Sequence, residues 1–193
     1  EKSIEVTEEI YKWLSLNSYE ASIQLAIERG PFPCWSYSKE KDHTFLSKII
    51  SELLPNRQED YKLHGRRNIA NTTTAPAGSV SVLTQTTSGI EPAFMLHYTR
   101  RKKINPNDLN ASVDFIDDSG DKWQEYTVYH HGFNSWMKSR GTLDQEEHEN
   151  EALVQMSPYA GATANEIDWV AKVKMQAAAQ KWICHAISNT TNL

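Results

Sequence analysis

Thr72-Thr73-Thr74-Ala75-Pro76-Ala77-Gly78-Ser79-Val80-Ser81 decides how this chain is read. β-Branched residues lead into a run of small ones, which predicts a strand over 68–74 stopping at a tight loop. Ala77 and Gly78 carry almost no side chain, so their backbone N–H groups are open to a ligand. Gly78 takes a positive φ at no steric cost. Successive N–H groups in such a turn converge on an anion, and the Ser79 and Ser81 hydroxyls add donors. The same composition also suits a Thr- and Ser-rich surface turn. A second small-residue turn, Thr86-Thr87-Ser88-Gly89-Ile90-Glu91-Pro92, follows closely.

Upstream the chain reads as helical. Thr7 can cap a helix over 8–17, with Val6 and Tyr11 as a hydrophobic staple and Glu8 and Glu9 at its positive end. Ser18 can cap a second helix that Gly30-Pro31 stops. Its apolar residues fall on two stripes, Ala21, Leu25 and Ala26 on one and Ile23 and Ile27 on the other. Asp42 can cap a third helix, with Phe45, Ile49, Ile50 and Leu53 inward and Pro55 ending it.

Downstream, residues 94–102 and 123–129 alternate as strands. Between them lie the exposed turns Asn105-Pro106-Asn107-Asp108 and Asp117-Asp118-Ser119-Gly120-Asp121. Arg100-Arg101-Lys102-Lys103 reads as a solvated strand end. Thr163-Ala164-Asn165-Glu166 is a capping box. It opens a helix to the neighbourhood of Ile187 that buries Ile167, Val170, Ala171, Met175, Ala178, Trp182 and Ala186.

Composition narrows the function. Net charge is -5 over 193 residues, which argues against a nucleic-acid groove and its basic face. No apolar run is long enough to span a bilayer, and no signal-peptide pattern opens the chain. The mean hydropathy of -0.62 describes a polar chain in which large aromatics offer buried area; its lean aliphatic content fits burial against a partner surface or acidic surface loops. Cys34 and Cys184 make no disulfide framework and suit a reducing cytoplasm. Cys184-His185 are adjacent, so on a helix they point apart, and Cys184 reads as packing. Glu146-Glu147-His148-Glu149-Asn150-Glu151 and His130-His131 lack metal-ligand spacing; the acidic run reads as a solvated helix face.

Arg67-Asn68, the loop Ala75 to Ser81, and Ser88-Gly89-Ile90-Glu91-Pro92 resemble, in order and spacing, the large catalytic subunit of ribonucleotide reductase. Tyr19-Glu20-Ala21-Ser22, Arg29-Gly30-Pro31-Phe32-Pro33, Met175-Gln176-Ala177-Ala178 and Ala186-Ile187-Ser188-Asn189-Thr190-Thr191-Asn192-Leu193 extend the resemblance over most of the chain. The adenosylcobalamin-dependent class is the most similar. The resemblance implies an α/β fold: a partial ten-stranded α/β barrel, from the second half-barrel, with flanking helices. Residues 1–193 are then a single segment of that barrel domain, incomplete at both ends.

The family reduces ribonucleotides to deoxyribonucleotides by radical chemistry. The resemblance implies that Ala77, Gly78, Ser79, Val80 and Ser81 supply the substrate's phosphate cradle. Position 77 is usually Thr in similar loops, so Ala77 lacks one hydroxyl. The family's radical cysteine sits in an Asn-x-Cys-x-Glu context, which Cys34 and Cys184 do not match. No catalytic residue and no metal ligand is therefore assigned here. The implied cofactor is adenosylcobalamin, with no binding motif legible in this chain. The implied partners are a ribonucleoside di- or triphosphate, the remaining segments of the enzyme, and a second copy in a homodimer of the whole enzyme in the cytoplasm. Nucleic acid and membrane are not expected partners. The alternative is a non-catalytic, nucleotide-binding remnant of the same fold.

Overall fold

A single helix, α1 (Lys2–Arg29), carries the first part of the chain in 28 residues. The computed structural model describes residues 1–107, 111–141 and 147–190, without the side chains of 147–150. The two helices expected over 8–30 are therefore one. Ser18 does not cap: its hydroxyl donates to Ser15 O one turn back (2.9 Å) and leaves the ladder intact. Thr7 likewise sits inside the helix and donates to Met175 Sδ at 2.9 Å. The buried stripe is Leu16, Tyr19, Ser22, Ile23 and Ala26, while Ala21 and Ile27 face outward. Gly30, at φ 76°, ends the helix by donating its N–H to Ala26 O.

The chain then turns through α2 (Tyr37–Glu40) and α3 (Thr44–Leu46), which continues as a π-helix over Ser47–Leu53. His43, not Asp42, precedes this helix. Pro55 opens a 3-10 turn, Pro55–Arg57, that runs into α4 (Gln58–His64). Ile49 and Ile50 are buried as expected, and Leu46 joins them. With Leu16, Tyr19, Ile23, Tyr61 and Trp182 they form the main apolar cluster. Each such side chain contributes roughly 1.5–3 kcal/mol on full burial.

A charged network fastens this half together. Arg66 is 6% exposed. It donates to both Glu40 oxygens, from Nη2 at 2.6 Å and Nε at 3.2 Å. Its Nη1 donates to the carbonyls of Asn68 and Ile69, each at 2.6 Å. Tyr61 Oη and Trp35 Nε1 also donate to Glu40, at 2.7 and 3.0 Å. Burial pushes the Glu40 carboxyl up, but the donors from Arg66, Tyr61 and Trp35 outweigh it and hold the group below its ordinary range. Burial and the bond to Glu40 push the Tyr61 phenol up.

Residues 68–74 form no ladder strand, and Ile69 lies in a bend; Thr74 makes an isolated parallel bridge to Ile187. The expected tight loop is the entry to a helix, α5 (Gly78–Thr84), which Gln85 closes in the left-handed region. Gly78 has no positive φ, so the conformational freedom of glycine is not what the position uses. Three strands follow: β1 (His97–Lys103), β2 (Phe115–Ile116) and β3 (Lys122–Tyr129). They form an antiparallel sheet in the order β1-β3-β2. Phe94 and Met95 lie outside the ladder and are exposed. Arg100 to Lys103 are solvated, as the sequence predicts.

Phe133 and Met137 of α6 (His131–Arg140) and Leu153 of α7 (Glu147–Met156) form a second apolar cluster with Leu96, just before β1, and Tyr129, at the end of β3. Of the acidic run, Glu146 and the side chains of 147–150 lie outside the described residues. The capping box at Thr163 closes: Glu166 Oε2 accepts from Thr163 N and Oγ1 at 3.1 and 2.6 Å. It holds only one turn, because Asp168 caps afresh by accepting from Ala171 N. Helix α8 therefore spans Trp169–Gln180, and Val170 and Ala186 are exposed. Ala178, Trp182, Ile183 and Ile187 stay buried beyond or near its end. The observed class is mixed α/β with a small open sheet. Among the described residues no helix is long and apolar enough to cross a membrane.

Arg66→Ala leaves the largely enclosed Glu40 carboxylate without its cation and with only the Tyr61 and Trp35 donors, which costs up to about 3 kcal/mol. Amide exchange should report that loss as reduced protection of residues 66–74. Arg57→Ala removes a more exposed pair, Arg57 with Glu20 and Asp60, and should cost under ~1 kcal/mol. Glu40 is held below its ordinary pKa, so its stabilisation is present above the unfolded-state value near ~4.3. It is lost as pH falls through the folded-state value. Glu40→Gln should flatten that acid limb in thermal unfolding; an unchanged limb would assign it to other carboxylates.

Candidate functional site

Main-chain pairing brings together motifs that lie more than a hundred residues apart. His185 N–H donates to Thr72 O at 3.2 Å, Thr74 N–H to Ala186 O at 3.2 Å, and Ser188 N–H to Thr74 O at 2.9 Å. This is a parallel pairing of two short extended segments. Thr73 Oγ1 adds a bond to Ala186 O at 2.8 Å, and Tyr11 Oη lies 3.1 Å from Thr74 Oγ1. The start of the extended segment is fixed by α1: Asn68 N donates to Ser22 Oγ at 3.0 Å, and Arg67 N to Ser22 O at 2.9 Å.

The second turn closes on the first. Ala77 N–H donates to Ser88 O at 2.7 Å. Glu91 reaches across to accept from Thr190 N–H at 2.6 Å through Oε1. Asn189 is fixed in turn by Gln176, its Nδ2 donating to Oε1 at 2.9 Å. Pro76, Ser88, Gly89, Glu91, Phe94 and Thr190 line a cavity of about 380 Å³ at this junction. A second cavity of about 320 Å³ shares Glu91 and Pro92 and is lined by Ile90, Met175 and Asn189.

The five loop residues predicted to hold phosphate are not equivalent. Ala77 N–H is committed to Ser88 O. Ser81 is buried, and its hydroxyl donates to Gly78 O at 2.8 Å. Neither group is open to a ligand as the sequence suggests. Gly78, Ser79 and Val80 open α5, and the first N–H groups of a helix have no acceptor within it. Val80 is 59% exposed. Gly78, Ser79 and Val80 are all exposed, and a Cβ built on Gly78 meets nothing within 4 Å. The five residues lie beside the 380 Å³ cavity's Pro76 edge and do not line it.

Cys184 is drawn into the same pairing. Asn71 N and Thr72 N donate to its Sγ at 3.2 and 3.3 Å. Burial pushes the thiol up, but the Thr72 and Asn71 N–H groups outweigh it and leave the thiol below its ordinary value. The Cys184 and His185 side chains do not pair: the thiol faces Thr72 and Tyr19, while His185 is exposed. Cys34 is exposed. Among the described residues no group of three or more His, Cys, Asp or Glu is placed to hold a metal ion.

The model of the ribonucleotide reductase barrel domain matches residues 1–193. The chain belongs to this family. A vitamin B12-dependent ribonucleoside-diphosphate reductase of Thermoplasma acidophilum is 28% identical over 192 residues, covering 100% of this chain and 21% of that protein. A ribonucleoside-diphosphate reductase subunit alpha of Treponema pallidum is 28% identical over 96 residues, 49% of this chain and 11% of its own length. A vitamin B12-dependent relative from Mycobacterium tuberculosis is 29% identical over 100 residues, 52% of this chain and 12% of its own length. The chain thus spans about a fifth of the length of the Thermoplasma protein.

The two cavities at the junction, about 380 and 320 Å³, are of the size that encloses a small ligand, well short of a corrinoid. What sequence reading missed is the scaffold. Glu40 and Arg66 lie outside the quoted motifs, and nothing local marks them as partners across 26 residues.

Gly89 is placed for a close approach. A Cβ there would sit 2.1 Å from Glu91 Oε2. Gly89→Ala should displace that flexible carboxylate, release the Thr190 N–H, and reduce amide protection of residues 188–190 by about 1–3 kcal/mol. The protection of residues 72–74 should hold. Unchanged protection at 188–190 would show that Glu91 does not organise the junction.

Proposed function

We propose that this chain is a segment of a ribonucleotide reductase catalytic subunit, and that it binds and orients the substrate's terminal phosphates. The observation that carries the reading is the convergence at one point of the loop before α5, the Ser88–Pro92 turn and the 185–190 segment. The family supports it, and so does the exposure of Gly78, Ser79 and Val80 in the first turn of α5. On this reading Gly78, Ser79 and Val80 supply the donors, with the Ser79 hydroxyl assisting. Ala77 and Ser81 shape the cradle without donating. Charge-assisted N–H···O bonds contribute about 1.5–3 kcal/mol each. Their larger effect is to fix the ribose in one orientation for reaction elsewhere in the enzyme.

The remaining terms of the proposal follow from the relatives. They are named diphosphate reductases, which favours a ribonucleoside diphosphate over a triphosphate. Their vitamin B12 dependence favours adenosylcobalamin, which supplies radical initiation when bound. No step of that chemistry is assigned to a residue of this chain. The parallel segments 72–74 and 185–188 act as neighbouring strands of the ten-stranded barrel. Val6, Ile10, Trp13 and Leu14 on the outer face of α1 are 46–60% exposed, and they pack on other segments of the same enzyme. The whole enzyme works as a cytoplasmic homodimer.

In the complete enzyme, Gly78→Val should raise the substrate dissociation constant more than Ser79→Ala. Valine places branched bulk over the donor N–H groups. Ser79→Ala removes one hydrogen bond, roughly 1 kcal/mol or about fivefold. Intact binding in Gly78→Val with binding abolished in Ser79→Ala would make the hydroxyl the principal donor. The chain purified alone, with nucleotide, reductant and adenosylcobalamin, should form no deoxynucleotide; measurable turnover would place the catalytic groups within these residues.

A further inference from the structure

The two faces of the small sheet differ in charge. On one face each base has an acid. Arg101 Nε donates to Glu125 Oε1 at 2.7 Å, Lys103 pairs with Asp121, and Arg101 also lies 4.6 Å over the Phe115 ring. The register puts Tyr98 opposite Val128, Arg100 opposite Tyr126, Lys102 opposite Gln124, and Ile116 opposite Lys122. Residues directly opposite share a face, so these eight side chains form the other face. It carries three cations, Arg100, Lys102 and Lys122, and no carboxylate. None of the three has an ion-pair partner among the described residues. Tyr98 and Tyr126 are 44% and 42% exposed, and Ile116 is 59% exposed.

This face adjoins an open edge. β1 is the outer strand in the order β1-β3-β2, and Tyr98 to Lys103 are all exposed. His130 N–H donates to Leu96 O, and Ile104 N–H to Lys122 O. Antiparallel pairs alternate between bonded and non-bonded, so the even-numbered residues of β1 bond to β3. The main-chain groups of His97, Thr99, Arg101 and Lys103 therefore point away from the sheet. These are N–H and C=O groups together, the pattern that takes up an added strand.

We propose that β1 and its cationic face dock an extended acidic polypeptide segment by strand addition. Alternate residues of an added strand fall on one face about 6.8 Å apart, the same repeat as Arg100 and Lys102. Carboxylates at every second position thus meet the two cations in register, while Tyr98 and Tyr126 cover the stems. A nucleic acid fits less well. Its backbone offers no N–H to the free carbonyls of β1, and the chain's net charge of -5 repels a long polyanion. The proposal goes beyond the phosphate reading and is independent of it.

The test uses the full-length protein and a fluorescent peptide of alternating glutamate and threonine, followed by anisotropy. The peptide should bind, and Arg100→Glu with Lys102→Glu should weaken it roughly tenfold or more. Arg101→Gln, on the paired face, should change it less than about twofold. The same peptide with proline at each threonine position cannot donate to the edge and should bind at least tenfold more weakly. Equal binding of the proline peptide, or tighter binding of an oligothymidylate than of the acidic peptide, would overturn the proposal. So would no binding at all, which would leave the cations as protection of an open edge.

Discussion

The bidentate pair between Arg66 and Glu40 holds the part of the chain on which the candidate site is built. Arg66 stands where α4 gives way to the extended segment that ends at Thr74. Its guanidinium binds Glu40 on one side and the carbonyls of Asn68 and Ile69 on the other. The helical layer and the segment leading to the loop are thus fixed by one cation. Removing it from water is expensive, and only the full set of acceptors makes the arrangement stable. Arginine serves here because its planar fork can satisfy a carboxylate and carbonyls at once. A lysine could not span both.

From that anchor the order passes through the main chain. Ser22 of α1 fixes Asn68, the segment runs on to Thr74, and the parallel pairing with 185–188 sets the level at which the chain turns into α5. Ser88 O then takes the Ala77 N–H, and Glu91 takes the Thr190 N–H. None of these bonds is strong alone, since each contributes about 0.5–1.5 kcal/mol net. Together they fix three separate pieces of chain at one point and leave the N–H groups of Gly78, Ser79 and Val80 without an acceptor among the described residues. A site that recognises phosphate with the backbone needs this kind of support.

The sequence was most legible where local chemistry decides local structure. Gly30 ends α1, Thr163 and Glu166 make their capping box, and the alternating segments of β1 and β3 pair antiparallel. It was less legible where a distant partner decides. Ser18 can cap a helix or bond one turn back, and the continuous buried stripe of α1 selects the second. The small residues 75–81 suit a loop or a helix entry, and the bond from Ala77 to Ser88 selects the entry. The motif order marked the family correctly. It did not show that Ser81 spends its hydroxyl on Gly78, or that Glu40 and Arg66 support the whole arrangement.

The account stands or falls on where the substrate's phosphates lie. A crystal structure of the complete reductase with a bound ribonucleoside diphosphate locates them directly. The account predicts terminal phosphate oxygens within about 2.7–3.2 Å of the N–H groups of Gly78, Ser79 and Val80, with Ala77 still bonded to Ser88. Phosphates bound at another part of the enzyme, with the N-terminal turn of α5 facing water, would contradict it.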